Sequence, residues 1–266
     1  MKRKPYSTDL SDEQWEIIKP LLPLPKSASK NGRKCTTDFR EVINAIFYLQ
    51  RNGGAWRNLP HDFPPASTVY FYFRRWQKKG IWIKIHNTLR EMVRTKQGRN
   101  PLPSAGVMDS QSAKTTDVGG DERGFDGNKK VNGRKRHILV DTNGLLVVGL
   151  VQAANIADSV AAKILLMASF VEGFNLKCIW ADKGYRGKTL RKIATALGIE
   201  LKITDRSKDK GFELEPRRWV VERTFAWLGK QRRLSKDYER LPEVSEVFLY
   251  SCMIPLMLNR LTKLEA

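Results

Sequence analysis

The chain has 266 residues, of which 41% are hydrophobic, and 48 Lys and Arg against 28 Asp and Glu give it a formal net charge of +20. This length and apolar content suit one large folded domain or two small ones and exclude a wholly disordered chain. No apolar segment approaches the ~18 residues of a membrane span, and the first residues lack the apolar core of a signal peptide. We therefore expect a cytoplasmic protein that does not bind membranes.

The excess positive charge is shared along the chain. Residues 1–100 hold 20 basic and 8 acidic side chains, a net charge of +12, and the remaining +8 belongs to residues 101–266. A basic surface gains affinity for nucleic acid because each neutralised phosphate releases condensed counterions. The alternative is a solvated basic surface on an ordinary enzyme, but so large and so distributed an excess favours a nucleic-acid partner.

Residue spacing argues against two common kinds of site. Cys35, Cys178 and Cys252 lie far apart without a Cys-x-x-Cys pair, and the three histidines are scattered, so neither a disulfide framework nor a zinc site is predicted. Residues 184–189 end in Gly-Lys-Thr, as a phosphate-binding loop does. However, Asp182 stands where that loop needs its first glycine, so a nucleotide-binding loop is not expected.

Residues 1–100 are predicted to form a small helical domain. Ser11 and Gln14 form a capping box, and the apolar residues that follow have helical spacing up to Pro23. Thr37 and Ser67 are the expected N-caps of the next two helices. The predicted helices cover residues 12–22, 38–52, 68–79 and about 82–96, and a loop is expected over residues 23–34.

The helices over residues 38–52 and 68–79 resemble a helix-turn-helix variant, although the connection between them is longer than the usual turn. The second of them carries cations beside aromatic residues, and we predict DNA contacts from Arg74, Arg75 and Lys78. The alternative is that the aromatic residues of this helix belong to the core and its cations to a solvated face.

From residue 101 the pattern changes to that of an α/β fold with a mixed sheet. A hairpin is indicated by Asn143-Gly144, because both residues tolerate positive φ. Residues 118–133 are expected to form a loop rich in glycine and charge. The predicted strands are 105–111, 136–140, 145–151, 177–181 and 200–204, and the predicted helices are 157–170, 189–197, 216–230 and 244–262.

Three acidic residues of this α/β region stand out by position. Asp109 lies in the first strand, Asp182 follows the strand over residues 177–181, and Glu222 lies in the helix over residues 216–230. Ligands of open α/β sheets gather beyond the carboxyl ends of strands, so neighbouring strands would bring Asp109 and Asp182 together. Three hard oxygen donors suit Mg²⁺ or Mn²⁺.

The segments Met108–Lys114, Ala181–Arg186 and Arg218–Trp227, read as MDSQSAK, ADKGYR and RWVVERTFAW, resemble the DDE transposases of bacterial insertion sequences. The resemblance is to the group named after insertion sequence five and the related group named after insertion sequence four. It spans nearly the whole chain, with the motifs in the order of that family. It implies an RNase H-like domain whose first and fourth strands adjoin and whose third carboxylate comes from a late helix.

The resemblance also implies an activity. Asp109, Asp182 and Glu222 would be the catalytic residues and the ligands of two divalent ions, Mg²⁺ or Mn²⁺. Water would cleave the DNA at a transposon end, and the freed 3′-OH would then attack a target phosphodiester at the same site. The implied partners are terminal inverted repeats, target DNA and further copies of this chain, in a homodimer or larger assembly on the bacterial nucleoid.

Several cations are predicted to hold this DNA. They are Arg134, Lys135, Arg136, Lys183, Arg186, Lys188, Arg218 and Lys230. The related signature runs Tyr, two residues, Arg, three residues, Glu, six residues, Lys, and Arg218 and Glu222 match it. The tyrosine position holds Glu215 and the lysine position holds Gly229, with Lys230 one step later. One step rotates a side chain about 100° around a helix, which puts the role of Lys230 in question.

Two other functions stay open at this stage. One is a DNA-binding protein derived from such an enzyme that no longer cleaves DNA, and the other is a metal-dependent nuclease that cuts without joining. The presence of all three carboxylates favours the transposase.

Overall fold

A computed structural model describes residues 3–23, 36–117, 119–204 and 217–263. The helices are α1 (Asp12–Ile18), α2 (Phe39–Asn52), α3 (Ala66–Lys78), α4 (Ile81–Lys96), α5 (Asp158–Val171), α6 (Lys188–Ala196), α7 (Arg218–Gly229) and α8 (Pro242–Thr262). The strands are β1 (Ala105–Lys114), β2 (Gly124–Asp126), β3 (Val131–Asp141), β4 (Leu146–Ala153), β5 (Cys178–Ala181) and β6 (Glu200–Ile203). Within the described residues, four α-helices thus precede a mixed α/β region, as predicted.

The helix starts confirm one predicted cap and correct two. At α1 the Ser11 hydroxyl accepts from the Gln14 backbone N–H, and the Gln14 side chain accepts from the Ser11 N–H, which is the predicted capping box. At α2 the N-cap is Asp38 rather than Thr37, because its carboxylate accepts from two first-turn N–H groups. α3 begins one residue before Ser67 and has no side-chain cap, because Pro65 precedes its first residue.

The sheet is built around β1. Its antiparallel neighbour is β3, its parallel neighbour is β5, and β6 lies parallel to β5 at the far edge. β4 pairs antiparallel with β3, and β2 pairs with the first residues of β3. The first and fourth predicted strands therefore adjoin, and the RNase H-like fold is confirmed. In the β3–β4 turn only Gly144, not Asn143, takes positive φ, at +77°.

The region expected to be a loop between residues 118 and 133 contains ordered pairing instead. β2 lies within it, and β3 begins at Val131. A Cβ on Gly133 would lie 2.1 Å from the Ala113 carbonyl oxygen, so this glycine permits the close approach of β3 to β1. Asp126 fixes the turn after β2, because its Oδ1 accepts from the Asn128 and Lys129 backbone N–H groups at 3.0 and 3.1 Å. Its Oδ2 accepts from the Ser112 hydroxyl on β1 at 2.6 Å. Alternation of apolar residues is absent here, which is why the sequence pattern missed β2.

The two faces of the sheet carry separate hydrophobic clusters. α5 and α6 cover one face, where Met108 and Leu139 are buried. The other face, with Val107 and Val140, shares one cluster with α7, α8 and the N-terminal helices. α4 packs along α8, so residues on both sides of the predicted boundary at residue 100 contribute to this cluster, and the boundary stays a prediction. Within the described ranges, no helix combines the length and apolarity needed to cross a bilayer.

Glu246 is a polar contact between α8 and the sheet. Its Oε1 accepts from the Val151 N–H on β4 at 3.0 Å. Burial raises the pKa of Glu246 to about 7, the Val151 hydrogen bond opposes this rise, and the charge of Glu243 adds to it. The folded state therefore binds the Glu246 proton more tightly than the unfolded chain does. As a result, the contribution of Glu246 to the free energy of unfolding falls as the pH rises from its ordinary pKa of 4.5 towards 7.

We predict that Glu246→Gln stabilises the protein at pH 8. Glutamine keeps the carbonyl acceptor for Val151 and removes the buried charge, so the free energy of unfolding should rise by roughly 2–3 kcal/mol. At pH 4.5 the difference should nearly vanish, because wild-type Glu246 is then protonated in the fold. Chemical denaturation at both pH values measures this, with Glu16→Gln on exposed α1 as the control. Equal stability of Glu246→Gln and wild type at pH 8 would contradict it.

Candidate active site

Asp109 and Asp182 lie side by side at one end of the sheet. β1 and β5 are parallel, and their last paired residues are Met108 opposite Ala181. Asp109 and Asp182 are the next residues on these two strands. The strand register thus brings together two of the three predicted carboxylates, as the sequence indicated.

Asp109 is mostly enclosed, with 17% of its side-chain surface exposed. Its Oδ1 accepts from the Ser110 backbone N–H at 2.7 Å, and its Oδ2 lies 3.8 Å from an Arg218 nitrogen. Burial raises the pKa of Asp109 to about 6, the Ser110 hydrogen bond and the charge of Arg218 oppose this rise, and the charge of Asp182 adds to it. Two carboxylates therefore repel each other in a poorly solvated place.

Asp182 begins the short 3₁₀ turn Lys183–Tyr185. Its Oδ1 accepts from the Gly184 N–H at 2.9 Å. This capping bond uses one carboxylate oxygen and leaves Oδ2 outside the cap. A Cβ on Gly184 would lie 3.0 Å from Asp182 Oδ1 and 3.1 Å from Asp158 Oδ2. Glycine at this position lets the turn lie against both carboxylates.

The start of α7 is fixed against the same two strands. Arg217, at its N-cap, has φ +71°, a strained value for a residue with a side chain. Its guanidinium stacks 4.5 Å from the centre of the Trp180 ring on β5, while Arg218 faces Asp109 on β1. Glu222 lies one turn further along α7 and is exposed. The sequence predicted Arg218 as a phosphate contact, and the structure places it at the carboxylate pair.

The described part of the chain contains no group of three His, Cys, Asp or Glu side chains placed to hold a metal ion. The structure thus does not assemble Asp109, Asp182 and Glu222 into a complete ligand set. The Asp pair by itself fits a hard divalent cation, because a cation would offset both the burial of Asp109 and its repulsion by Asp182. Mg²⁺ and Mn²⁺ have the oxygen preference that suits this pair.

A polar cluster beside Asp109 was not predicted. The Ser110 hydroxyl donates to Asp158 Oδ1 at 3.2 Å, and Lys129 Nζ donates to the Ser110 carbonyl at 2.8 Å. Lys135 Nζ lies 3.3 Å from Asp158, and Tyr185 is buried among these residues. In the sequence, Asp158 is an ordinary acid in the first turn of α5, so only the fold reveals its proximity to Asp109 and Asp182.

Three predicted DNA contacts are corrected by burial. Arg134 is fully buried, donates to the backbone carbonyls of Glu122, Glu239 and Arg240, and pairs with Asp237 at 3.3 Å. Lys135 is 7% exposed and forms ion pairs with Asp126 and Asp158. Arg136 is 2% exposed and donates hydrogen bonds to the Leu234 and Lys236 carbonyls. These cations face the interior of the fold, because β3 is a central strand covered on both faces, and DNA cannot reach them.

The other predicted DNA contacts lie at the surface. Lys183, Arg186 and Lys188 are exposed on the turn after Asp182 and at the start of α6. On α3, Arg74 donates to Gln77, Arg75 stacks over Phe71, and Lys78 is exposed. Lys230 is exposed after the last residue of α7. Contact of these residues with DNA stays a prediction, and Glu215, at the signature tyrosine position, lies outside the described residues.

Comparison with known families agrees with this arrangement of strands and acids. Residues 10–86 match a family described as "Putative transposase of IS4/5 family", and residues 100–257 match the family described as "Transposase DDE domain". The second match covers more than half of the chain and includes Asp109, Asp182 and Glu222. The chain belongs to the DDE transposase family.

Individual relatives of this DDE transposase chain are partial matches. It is 35% identical over 124 residues, 44% of its own length and 59% of the relative's, to a Burkholderia cepacia protein named "Putative transposase for insertion sequence element IS402". An uncharacterized 16.2 kDa protein of the same element is 33% identical over 88 residues, 32% of this chain and 60% of the relative. The chain thus spans about 60% of the length of these relatives. The catalytic core of BIV integrase aligns with 55% of this chain and 80% of its own, at 13% identity and a TM-score of 0.32.

We predict that Arg134→Met destabilises the transposase chain instead of weakening DNA binding specifically. The substitution leaves Asp237 as an uncompensated buried charge and removes the donor from three carbonyls, so unfolding should become easier by about 3–5 kcal/mol. Lys188→Met, at an exposed cation, should change stability by less than about 0.5 kcal/mol. Urea unfolding of both variants checks this. An Arg134→Met protein of normal stability but weakened DNA affinity would restore Arg134 as a DNA contact.

Proposed function

We propose that this chain is a DNA transposase that cleaves the ends of its insertion sequence and joins the freed 3′-OH to target DNA. The observation that carries the proposal is the parallel register of β1 and β5, which sets Asp109 beside Asp182 with Arg218 against Asp109. Paired, partly buried carboxylates facing a guanidinium form a centre for phosphoryl transfer, because cations and phosphate are attracted to the same place. Membership of the DDE family supports the same reading.

Asp109 and Asp182 would hold divalent metal, with Glu222 as a third ligand from α7. Bound Mg²⁺ or Mn²⁺ supplies an activated oxygen nucleophile and stabilises the leaving oxygen of an in-line displacement. The Ser110 and Gly184 backbone N–H groups orient the two aspartates, because each donates to one carboxylate oxygen. Arg218 would grip a non-bridging phosphate oxygen pair, since its planar fork matches that geometry.

DNA would approach across the exposed cations that flank this centre. Lys183, Arg186 and Lys188 follow Asp182 in the chain, so a strand held at the carboxylates meets them next. Arg74, Arg75 and Lys78 of α3 would contact DNA further from the cut. The terminal inverted repeats of the element, its target DNA and at least one further copy of this chain are the proposed partners, on the nucleoid in the bacterial cytoplasm.

We predict that Asp182→Asn abolishes cleavage and preserves DNA binding. The amide keeps the side-chain oxygen that accepts from Gly184 but loses the charge that attracts metal, so the turn should stay folded. With Mg²⁺ or Mn²⁺, wild-type protein should nick DNA that carries the inverted repeats flanking its gene, and chelation should stop the reaction. The rate should fall by at least about a thousandfold in the variant, the magnitude typical of losing a key electrostatic group.

The matched control is Asp121→Asn, which removes one exposed carboxylate from the loop before β2. This variant should cleave at the wild-type rate. Cleavage by Asp182→Asn at the same rate, in a nuclease-free preparation, would exclude Asp182 from the mechanism. Binding without cleavage by the wild type would instead favour a silent derivative of a transposase.

We predict that Arg218→Lys impairs joining more than nicking. Lysine keeps one charge near Asp109 but loses the planar fork, and joining requires a 3′-OH to be held in line with a second duplex. Nicking of uncut ends and joining of pre-cut ends should be measured separately, with metal-dependent changes in melting temperature as the test of ion binding. If both steps keep near-wild-type rates, Arg218 serves only as the ionic partner of Asp109. A protein that nicks but never joins would be a nuclease.

A further inference from the structure

A cationic pocket lies on the side of α7 away from Asp109. It encloses about 440 Å³ between the ends of α4 and α8, the β3–β4 turn and α7. Lys96, Arg223, Arg260 and Lys263 line it together with Gln97 and Asn143, and none of the described residues that line it is acidic. We call these six residues the cationic pocket. None of them is among the DNA contacts predicted from the sequence.

Two of its arginines are held in place by tryptophan rings. The Arg223 guanidinium lies 4.5 Å from the centre of the Trp219 ring and 4.8 Å from that of Trp227. Arg260 lies 4.7 Å from the centre of the Trp227 ring. Stacking covers the flat faces of a guanidinium and leaves its N–H edges available, which is the part that binds phosphate.

The neighbouring polar groups do not neutralise these arginines. Asn143 Nδ2 donates to Gln97, and Lys96 Nζ donates to three carbonyls at the end of α8. The acid whose charge acts on the pKa of both arginines is Asp141, and it forms its own ion pair with Arg94 at 2.5 Å. Across the described ranges, no carboxylate lies within 4 Å of the charged nitrogens of Arg223 or Arg260. The pocket therefore holds uncompensated positive charge.

Arg223 also has unused hydrogen-bonding capacity. One of its terminal nitrogens donates to the Asn143 carbonyl at 3.0 Å, but its Nε is buried without a partner among the described residues. Burial lowers the pKa of both arginines, and the charge of Arg223 lowers that of Arg260 further. An anion between them would relieve this repulsion and satisfy donors that are otherwise idle.

We propose that the cationic pocket binds a phosphodiester group of the DNA whose scissile bond lies at Asp109 and Asp182. This inference rests on the proposed function, since it assigns the pocket to the same DNA. The geometry of α7 supports it. Arg218 and Arg223 are five residues apart, about 7.5 Å along the helix axis and about 140° around it. A strand or duplex crossing α7 from the carboxylates can thus reach the pocket within a few nucleotides.

The test is the double substitution of Arg223→Gln with Arg260→Gln in the full chain, measured by binding to duplex DNA that carries the inverted repeats. Loss of one phosphate contact held by two guanidiniums should weaken binding about tenfold and reduce the log–log salt slope by about one. The control pair is Lys19→Gln with Lys177→Gln. Both lysines are exposed and lie outside the pocket, and the two substitutions remove the same total charge as the arginine pair. It should keep the wild-type slope, because it removes no phosphate contact.

Inorganic phosphate is the second probe, and it distinguishes a free anion from DNA. At constant ionic strength, phosphate should raise the melting temperature of wild type and of the control pair more than chloride does, but not that of the arginine pair. If phosphate stabilises as expected but DNA binding is the same in both pairs, the pocket takes free anions and the DNA assignment is wrong. Equal behaviour of both pairs with both probes overturns the site altogether.

Arg223→Lys with Arg260→Lys covers the case in which the glutamine pair does not fold. Lysine keeps the charge and loses the fork, so DNA affinity should fall severalfold while the salt slope stays near that of wild type. Unchanged affinity in a folded lysine pair would overturn the proposal. Wild-type protein that binds DNA through the pocket without cutting it would refute the transposase chemistry and support the pocket.

Discussion

The parallel pairing of β1 with β5 is the constraint on which the candidate active site depends. It places Asp109 next to Asp182, although 72 residues separate them in the chain, and the antiparallel partner β3 holds β1 from the other side. A one-residue slip would turn one aspartate to the opposite face of the sheet. Burial of Val107 and Met108 on the two faces opposes such a slip, so the apolar core sets the position of the charged site.

The same core explains the misassignment of the Arg134–Arg136 segment. Three consecutive cations in a sequence indicate a solvated patch, but β3 is covered on both faces, and each of these cations finds carboxylates or carbonyls inside. The net charge of +20 counts them equally with surface residues. Charge composition alone therefore overstates the positive surface that DNA can reach, and Arg94 with Asp141 is another buried example.

Periodic segments were predictable, and so was the pairing of the first strand with the fourth, but the polar contacts between other distant segments were not. The α/β order, the capping box at Ser11 and the adjoining of the first and fourth strands follow from local pattern and family resemblance. β2 was missed because the hydrogen bonds from the Asn128 and Lys129 N–H groups to Asp126, rather than alternating apolar residues, hold its turn. Asp158 joins the site only because α5 starts beside β1, and the pattern of α5 itself predicts a helix over residues 157–170 and nothing of that neighbour.

α7 carries residues of both the candidate active site and the cationic pocket. At 100° per residue, Arg218 and Glu222 share one side, Trp219, Arg223 and Trp227 follow on a second, and Val220, Val221, Thr224 and Leu228 form the buried third. The buried side fixes the rotation of the helix, so it also fixes where the other two point. Arg218 faces Asp109, and the Trp–Arg stack lies on the neighbouring side of the same helix. The packing of a single helix thus sets the directions of Glu222 and of the Trp–Arg stack together.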